Sequence, residues 1–252
     1  MSGCTLKYSQ MSKMKCETLA YSHAGITFRG HLAQDPARTS RLPGVLIVHE
    51  AWGLGEHAKQ RAEKLAECGY VALAVDMFGE ARQASSSDEG LSWTRALRAD
   101  VPLLRARIYA AYQALLGCPQ VDPARVAAMG YCFGGTTSIE IARSGAPLAG
   151  VVSFHGSLAT THPAEPDVVK AKILVCTGAD DPFVPAAQVQ GFIDEMTRAR
   201  ADFQVIIYGG AKHSFTNPRA AERGVPGLEY NKSADERAWT AMHEFFREIF
   251  GI

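Results

Sequence analysis

The stretch Gly130-Tyr131-Cys132-Phe133-Gly134-Gly135 constrains this chain more than any other. An apolar run, Arg125–Met129, precedes it and has the composition of a buried strand. Thr136–Arg143 follows with a helical pattern that stops at Ser144-Gly145. A strand, a glycine-flanked turn and a helix in immediate succession describe a sharp elbow that lifts its central side chain out of a sheet. Neighbouring Cβ atoms would clash in so tight a turn, which accounts for the glycines. The central side chain is Cys132, and the helix that follows aims its positive end at it, favouring thiolate over thiol. The alternative is a buried structural cysteine beside a chance pair of glycines.

The downstream sequence argues against that alternative. Lys172–Gly178 reads as a strand and runs into the turn-rich loop Ala179-Asp180-Asp181-Pro182-Phe183-Val184-Pro185. Phe203–Tyr208 reads as another strand, followed by Gly209-Gly210-Ala211-Lys212-His213-Ser214-Phe215. Nucleophile, acid and histidine thus fall in order, each in a loop after a predicted strand, as in α/β-hydrolase triads. A thiol must ionise to attack; His213 suits the role of proton acceptor, and an aspartate suits that of orienting the imidazole. Asp180 and Asp181 compete for the last role, and a helix N-cap before Val184-Pro185 is the bland reading of the pair.

Strand-like and helix-like segments alternate along the rest of the chain. Tyr21–His31 reads as an early strand or hairpin, Gly44–His49 as a fully buried strand, and Tyr70–Val75 and Leu148–Phe154 as further strands. Glu56–Cys68 has helical periodicity with Gly69 as its stop, and Val184–Arg198 and Ser233–Phe250 are amphipathic helices. Ser92–Leu116 reads as one long or broken helix that Pro102 kinks or starts. Such alternation predicts an α/β fold, a mostly parallel sheet with helices on both faces. Gly79–Gly90 is the most linker-like stretch, Thr160–Val168 is a second exposed excursion, and no insertion is long enough for a large cap domain.

Composition excludes several classes. The 252 residues suit one domain, expected over 16–252, and 47% apolar residues are ample for its core. Residues 1–15 read as a polar N-terminal extension without the apolar run of a signal peptide, with Met11 and Met14 as alternative starts. Basic and acidic residues balance at 26 each, so neither nucleic acid nor a membrane surface is an expected partner. None of the six cysteines forms Cys-x-x-Cys, and no cysteine or histidine cluster has zinc-like spacing. Cys68, Cys118 and Cys176 read as small core or near-core residues, and a reactive thiol fits a reducing, cytoplasmic compartment. His49-Glu50 lacks the second histidine of a zinc-protease helix, because position 53 is glycine. No metal or cofactor is expected, and a homodimer is the expected assembly.

The chain resembles the dienelactone hydrolase family of α/β-hydrolases from about Tyr21 onward. The resemblance rests on His49-Glu50-Ala51-Trp52-Gly53, Ala81-Arg82-Gln83-Ala84, the Cys132 elbow, Asp181-Pro182-Phe183-Val184-Pro185 and His213-Ser214-Phe215. It implies Cys132, Asp181 and His213 as the triad, with Asp181 preferred because it fits the family's Asp-x-x-Val-Pro. It implies Glu50 as a carboxylate that contacts and helps activate the resting thiol. The oxyanion would rest on the backbone N–H groups of Phe133, which follows the nucleophile, and, by resemblance, Ala51. Arg82 matches the family's substrate-carboxylate arginine, suited to a bidentate fork. Trp52, Phe78, Tyr131, Phe133, His155 and Phe215 are candidates for an aromatic pocket, with Trp52 and Phe215 taken as substrate-binding. Phe78, Tyr131 and Phe133 are equally suited to core packing, and His155 reads as a structural histidine. His23, His31, His57, His162 and His243 read as surface residues.

The family's second arginine after His-Ser-Phe is missing. Thr216-Asn217-Pro218 stands there, with Arg219 and Arg223 as candidate replacements. A strict preference for carboxylated lactones therefore does not follow. The expected activity is cleavage of lactones or carboxyl esters through a thioacyl enzyme. The alternatives are an aryl-ester and phosphotriester hydrolase using the same cysteine, and a non-catalytic thiol-based redox or binding protein.

Overall fold

The apolar runs become the centre of an eight-stranded sheet in the computed structural model, which describes residues 14–252. Strands β1 (Lys15–His23) and β2 (Ile26–Gln34) form an antiparallel hairpin. Its turn, Ala24-Gly25, is left-handed at both residues, with φ of 49° and 77°. The hairpin starts before the sequence reading placed it. Its second strand pairs antiparallel with β4 (Val71–Val75), next to β3 (Leu42–Val48). From there β5 (Val121–Tyr131), β6 (Gly150–Phe154), β7 (Lys172–Gly178) and β8 (Phe203–Tyr208) continue in parallel. The order across the sheet is β1-β2-β4-β3-β5-β6-β7-β8. The expected N-terminal extension lies almost wholly outside the described residues.

Strand side chains alternate between two cores, as the two-residue period requires. On β3, Leu46 and Val48 face one core while Val45 and Ile47 face the other. The first core is completed by α3 (Val101–Leu116), α4 (Phe133–Arg143) and α5 (Ala186–Arg198), through residues such as Ile108, Ile139 and Phe192. The second is completed by α1 (Glu56–Glu67) and α6 (Lys232–Phe250), through Leu65 and Phe246. Both faces of the sheet are covered, so β3 and β4 are buried along their whole length.

The helix expected over Ser92–Leu116 is two helices. Here α2 (Ser87–Ala99) precedes α3, and Asp100 separates them, its Oδ1 accepting the Leu103 N–H at 3.0 Å with Pro102 in the first turn. The linker-like stretch also ends early. Ser86 Oγ caps α2 by accepting the Glu89 N–H at 3.2 Å, and Glu89 Oε2 accepts from Ser85 N–H and Oγ–H, each at 2.7 Å. This local capping makes residues 87–90 helical.

Six strands, β3 to β8, run parallel, so the loops after their C-terminal ends gather at one edge of the sheet. Open α/β sheets carry their ligand sites at that edge.

Candidate active site

Cys132 sits at the C-terminal end of β5 with φ 55° and ψ −116°, a left-handed turn conformation forced on a residue with a Cβ. Two glycines make it feasible. A Cβ on Gly130 would lie 2.1 Å from the Gly134 carbonyl oxygen, and one on Gly134 would lie 2.1 Å from that of Val48. The helix α4 is thereby pressed against β3 and β5 and begins at Phe133, directly after the thiol. The Cys132 N–H is shared between the Phe154 carbonyl at 3.0 Å and His155 Nδ1 at 3.1 Å.

His155 is fully buried and also left-handed, with φ 42°. Its Nδ1 accepts from Cys132, so the ring proton is assigned to Nε2, which faces Thr216 Oγ1 at 2.8 Å. Burial, reinforced by the neighbouring His213 and His57, holds it well below the ordinary histidine range, so it is neutral. It braces the elbow, in agreement with its reading as structural.

Asp181, on the loop after β7, has a fully buried side chain. Its Oδ2 accepts the His213 Nδ1–H at 2.8 Å, and its Oδ1 accepts the N–H groups of Phe183 and Val184 at 2.8 and 3.2 Å. One oxygen closes the turn before α5, whose N-cap is Pro185 rather than an aspartate, and the other faces the imidazole. Asp180 is exposed.

His213 is buried, with its ring 5.2 Å from His155 and 5.1 Å from Phe183, and its side chain lies within hydrogen-bonding reach of Cys132. Burial alone lowers its basicity. The Cys132 charge, the Asp181 hydrogen bond and the contact with the thiol outweigh burial and raise the imidazole to about 10.

Glu50, which the resemblance implies contacts the resting thiol, has both carboxylate oxygens engaged by the histidine-bearing loop. Its Oε1 accepts from Ser214 Oγ at 2.8 Å and its Oε2 from Asn217 Nδ2 at 2.5 Å. Two buried donors on the histidine-bearing loop claim the carboxylate, and Ser214 is itself left-handed at φ 55°. His57, read as a surface residue, belongs to the same cluster. Its Nδ1 is 3.8 Å from Glu50 Oε2 and its Nε2 is 3.2 Å from the Thr216 carbonyl, which also accepts from Arg61 Nη2 at 2.8 Å. Burial lowers His57 to about 4.

Cys132 opens onto a cavity of about 380 Å³. Trp52, Phe133, Phe183, His213, Thr94 and Arg98 are among the residues that line it with Cys132. Among the described residues neither the Ala51 nor the Phe133 N–H donates to a main-chain carbonyl.

The other expected substrate contacts are partly corrected. Phe215 is fully buried against His155 and Tyr208, at ring distances of 5.2 and 5.5 Å, and is a core residue. Phe78 and Tyr131 are likewise buried off the cavity, so its aromatic wall is Trp52, Phe133 and Phe183. Arg82 is exposed, stacked 4.5 Å over Trp93, and absent from the cavity wall. The guanidinium on that wall is Arg98, whose Nη2 donates to Ser157 Oγ at 2.9 Å. Leu91, Thr94 and Arg98 share one face of α2 at helical spacing, a signal that was available in the sequence. Arg219 and Arg223 line a different cavity, on the other side of Trp52. Arg219 pairs with Glu222, and Arg223 lies 4.9 Å over the Trp52 ring. Of the cysteines read as core, Cys118 and Cys176 are buried, and burial pushes Cys176 up to about 12. Cys68 is exposed, because it caps α1 at the surface.

The sheet order, the strained elbow and the loops gathered at its edge are those of an α/β-hydrolase. Within that class the chain belongs to the dienelactone hydrolase family, whose sequence model matches residues 28–250, and it is a hydrolase of ester bonds. It is similar to the dienelactone hydrolase-like promiscuous phosphotriesterase P91 from metagenomic libraries. The identity is 40%, over 94% of this chain and 98% of that one, with a TM-score of 0.90. A structure named m3DLH is similar at 39% identity, the same coverage and a TM-score of 0.89. The uncharacterized protein K02A2.1 of Caenorhabditis elegans is 36% identical over 149 residues, 58% of this chain and 94% of that protein. The dienelactone hydrolase of Anabaena variabilis, at 21% identity and a TM-score of 0.65, shares the fold. No helix among the described residues is long and apolar enough to cross a membrane.

Proposed function

We propose that this protein hydrolyses small lactones and carboxyl esters by covalent catalysis at Cys132. The observation that carries the reading is the buried hydrogen bond from His213 to Asp181, with the imidazole held against a thiol on a strained elbow. Cys132 sulfur, as thiolate, attacks the carbonyl carbon, and the carbonyl electron pair moves onto oxygen. The Ala51 and Phe133 N–H groups, without main-chain acceptors, receive that oxyanion. Collapse expels the alkoxide, which takes its proton from the His213 imidazolium and leaves a thioacyl enzyme. His213, now neutral, accepts a proton from water as the water oxygen attacks the thioester carbonyl, and the thiolate leaves. Asp181 keeps the Nδ1 proton in place throughout.

Glu50 acts in this reading through the histidine loop, which it grips at Ser214 and Asn217. The cavity is small and mostly apolar, which suits aryl and lactone substrates, and Arg98 with Ser157 offers a polar end. A catalytic thiol fits a reducing cytoplasm.

The 40% identity with P91 favours a second substrate class. The same thiolate attacking phosphorus of an aryl phosphotriester would form an S–P bond and expel the aryloxide, with the phosphoryl oxygen on the same N–H pair. A redox or binding role is disfavoured, because oxidation of a thiol needs neither the Asp181 contact nor a shaped cavity.

The test is turnover of an aryl acetate, a dienelactone and an aryl phosphotriester by wild type and Cys132→Ala. The variant is expected to lose at least ~10³-fold in kcat/KM on each substrate that the wild type accepts. A variant within a few-fold of wild type would refute the assignment, and thiol labelling of wild type without turnover of any substrate would favour the redox reading.

A further inference from the structure

A second convergence of reactive groups lies far from Cys132, at the other side of the sheet. Cys16 on β1, His31 on β2 and Glu63 on α1 place one donor atom each within 4.8 Å of one another. His31 Nε2 is 3.0 Å from Glu63 Oε1, and Cys16 Sγ is 3.9 Å from the same oxygen. Sequence spacing hides this group, since 14 and 31 residues separate its members. The hairpin register creates it. Thr18 pairs with His31 and Cys16 with Ala33, so Cys16 and His31 are diagonal neighbours on one face, the face against which α1 packs. We propose that Cys16, His31 and Glu63 form a binding site for a borderline divalent cation of the zinc type.

The donor set fits that chemistry. A thiolate, an imidazole and a carboxylate are the three ligand types zinc takes, at about 2.3, 2.0 and 2.1 Å. Tetrahedral donors then stand about 3.3–3.7 Å apart, so the three atoms need shift by only about an ångström or less. Cys16 is exposed, which leaves the fourth position to water. The thiol selects against magnesium and calcium. On binding, the Cys16 S–H proton leaves to solvent and His31 binds as neutral imidazole. Because that proton is released on binding, affinity rises with pH. Strands β2, β4 and β3 separate β1 from β5. The cation therefore clips the edge hairpin to α1 and takes no part in turnover.

Cobalt(II) titration of the Cys132→Ala full-length chain tests this without interference from the catalytic thiol. One equivalent is expected to produce a thiolate-to-cobalt charge-transfer band with tetrahedral ligand-field bands, both displaced by zinc. Cys16→Ser is expected to abolish the charge-transfer band. His31→Gln and Glu63→Gln are each expected to weaken binding at least ~10-fold. The same three substitutions, made with Cys132 intact, are expected to leave ester turnover unchanged, which shows the chain is folded. Zinc is expected to raise the melting temperature of the Cys132→Ala chain and not of its His31→Gln derivative. Absence of the charge-transfer band, or its survival in the Cys16→Ser chain, would overturn the proposal.

Discussion

Replacing Asp181 by Asn probes the centre of the proposed chemistry with almost no change of shape. The carboxylate divides its oxygens: Oδ1 accepts two backbone N–H groups at 2.8 and 3.2 Å, and Oδ2 accepts the His213 Nδ1–H at 2.8 Å. An amide has one acceptor oxygen. With that oxygen kept on the two backbone donors, the NH₂ group faces His213, which must then accept at Nδ1 and carry its proton on Nε2, toward Cys132. The base position is filled in the neutral ring, and the stabilisation of the imidazolium by Asp181 is gone. A charge-assisted hydrogen bond is worth about 1.5–3 kcal/mol, and the wrong tautomer adds to that. At about 1.4 kcal/mol per tenfold, a total of about 3–5 kcal/mol lowers kcat/KM by about 10²–10⁴. The assay is aryl-ester kcat/KM across the pH range, with melting temperatures as a folding control. The alkaline limb set by an imidazole at about 10 is expected to move toward the ordinary histidine range. Asp180→Asn, at an exposed side chain, is expected to behave as wild type. If Asp181→Asn keeps more than about a tenth of wild-type kcat/KM with an unshifted pH profile, the orienting role fails.

Two further outcomes follow from the same geometry. Arg98→Ala is expected to raise KM about tenfold for an ester with a carboxylate remote from the scissile bond and to leave a neutral aryl ester nearly unchanged, as Michaelis kinetics on the pair will read; equal effects on both would remove Arg98 from substrate binding. Stability is expected to fall as pH drops from about 6.5 to about 4, because the unfolded chain protonates His57 near 6.5 while the folded chain protonates it only near 4. At about 1.4 kcal/mol per pH unit, His57 alone contributes about 3 kcal/mol of that loss, and His49 and His155, also lowered by burial, add in the same direction. His213 works oppositely: its raised value contributes stability that is full below about 6.5 and lost as pH rises through about 10. Urea midpoints at neutral and acid pH measure the first window, and a midpoint that does not fall on acidification would contradict it.

Much of this fold was legible because its strands are short, apolar and buried on both faces. The extents of β7 and β8 match their sequence readings, and the other parallel strands do so within a few residues, β5 reaching furthest beyond its reading. The elbow was legible because close backbone packing leaves a glycine signature that few other structures require. What stayed hidden depends on contacts between distant segments. Nothing in Glu50-Ala51-Trp52 tells that Ser214 and Asn217 claim the carboxylate. Arg82 fits the family's arginine by local sequence, yet a stack on Trp93 draws it to the surface while Arg98 reaches the cavity. His57 reads as a surface residue in the sequence, yet Tyr131, 4.6 Å away, and Glu50 pack against it. Pro102 marked a helix break, but the capping of α2 by Ser86 and of α3 by Asp100 set where the two helices start.

In the proposed mechanism the acyl group passes through Cys132 sulfur. Acid quenching of the enzyme during steady-state turnover of a slowly hydrolysed aryl ester, followed by peptide mass spectrometry, tests it directly. An acyl adduct is expected on the peptide containing Cys132, formed and discharged at rates that match turnover and absent from Cys132→Ala. Full turnover with no adduct on that peptide, or an adduct that accumulates on another residue at the catalytic rate, would contradict it.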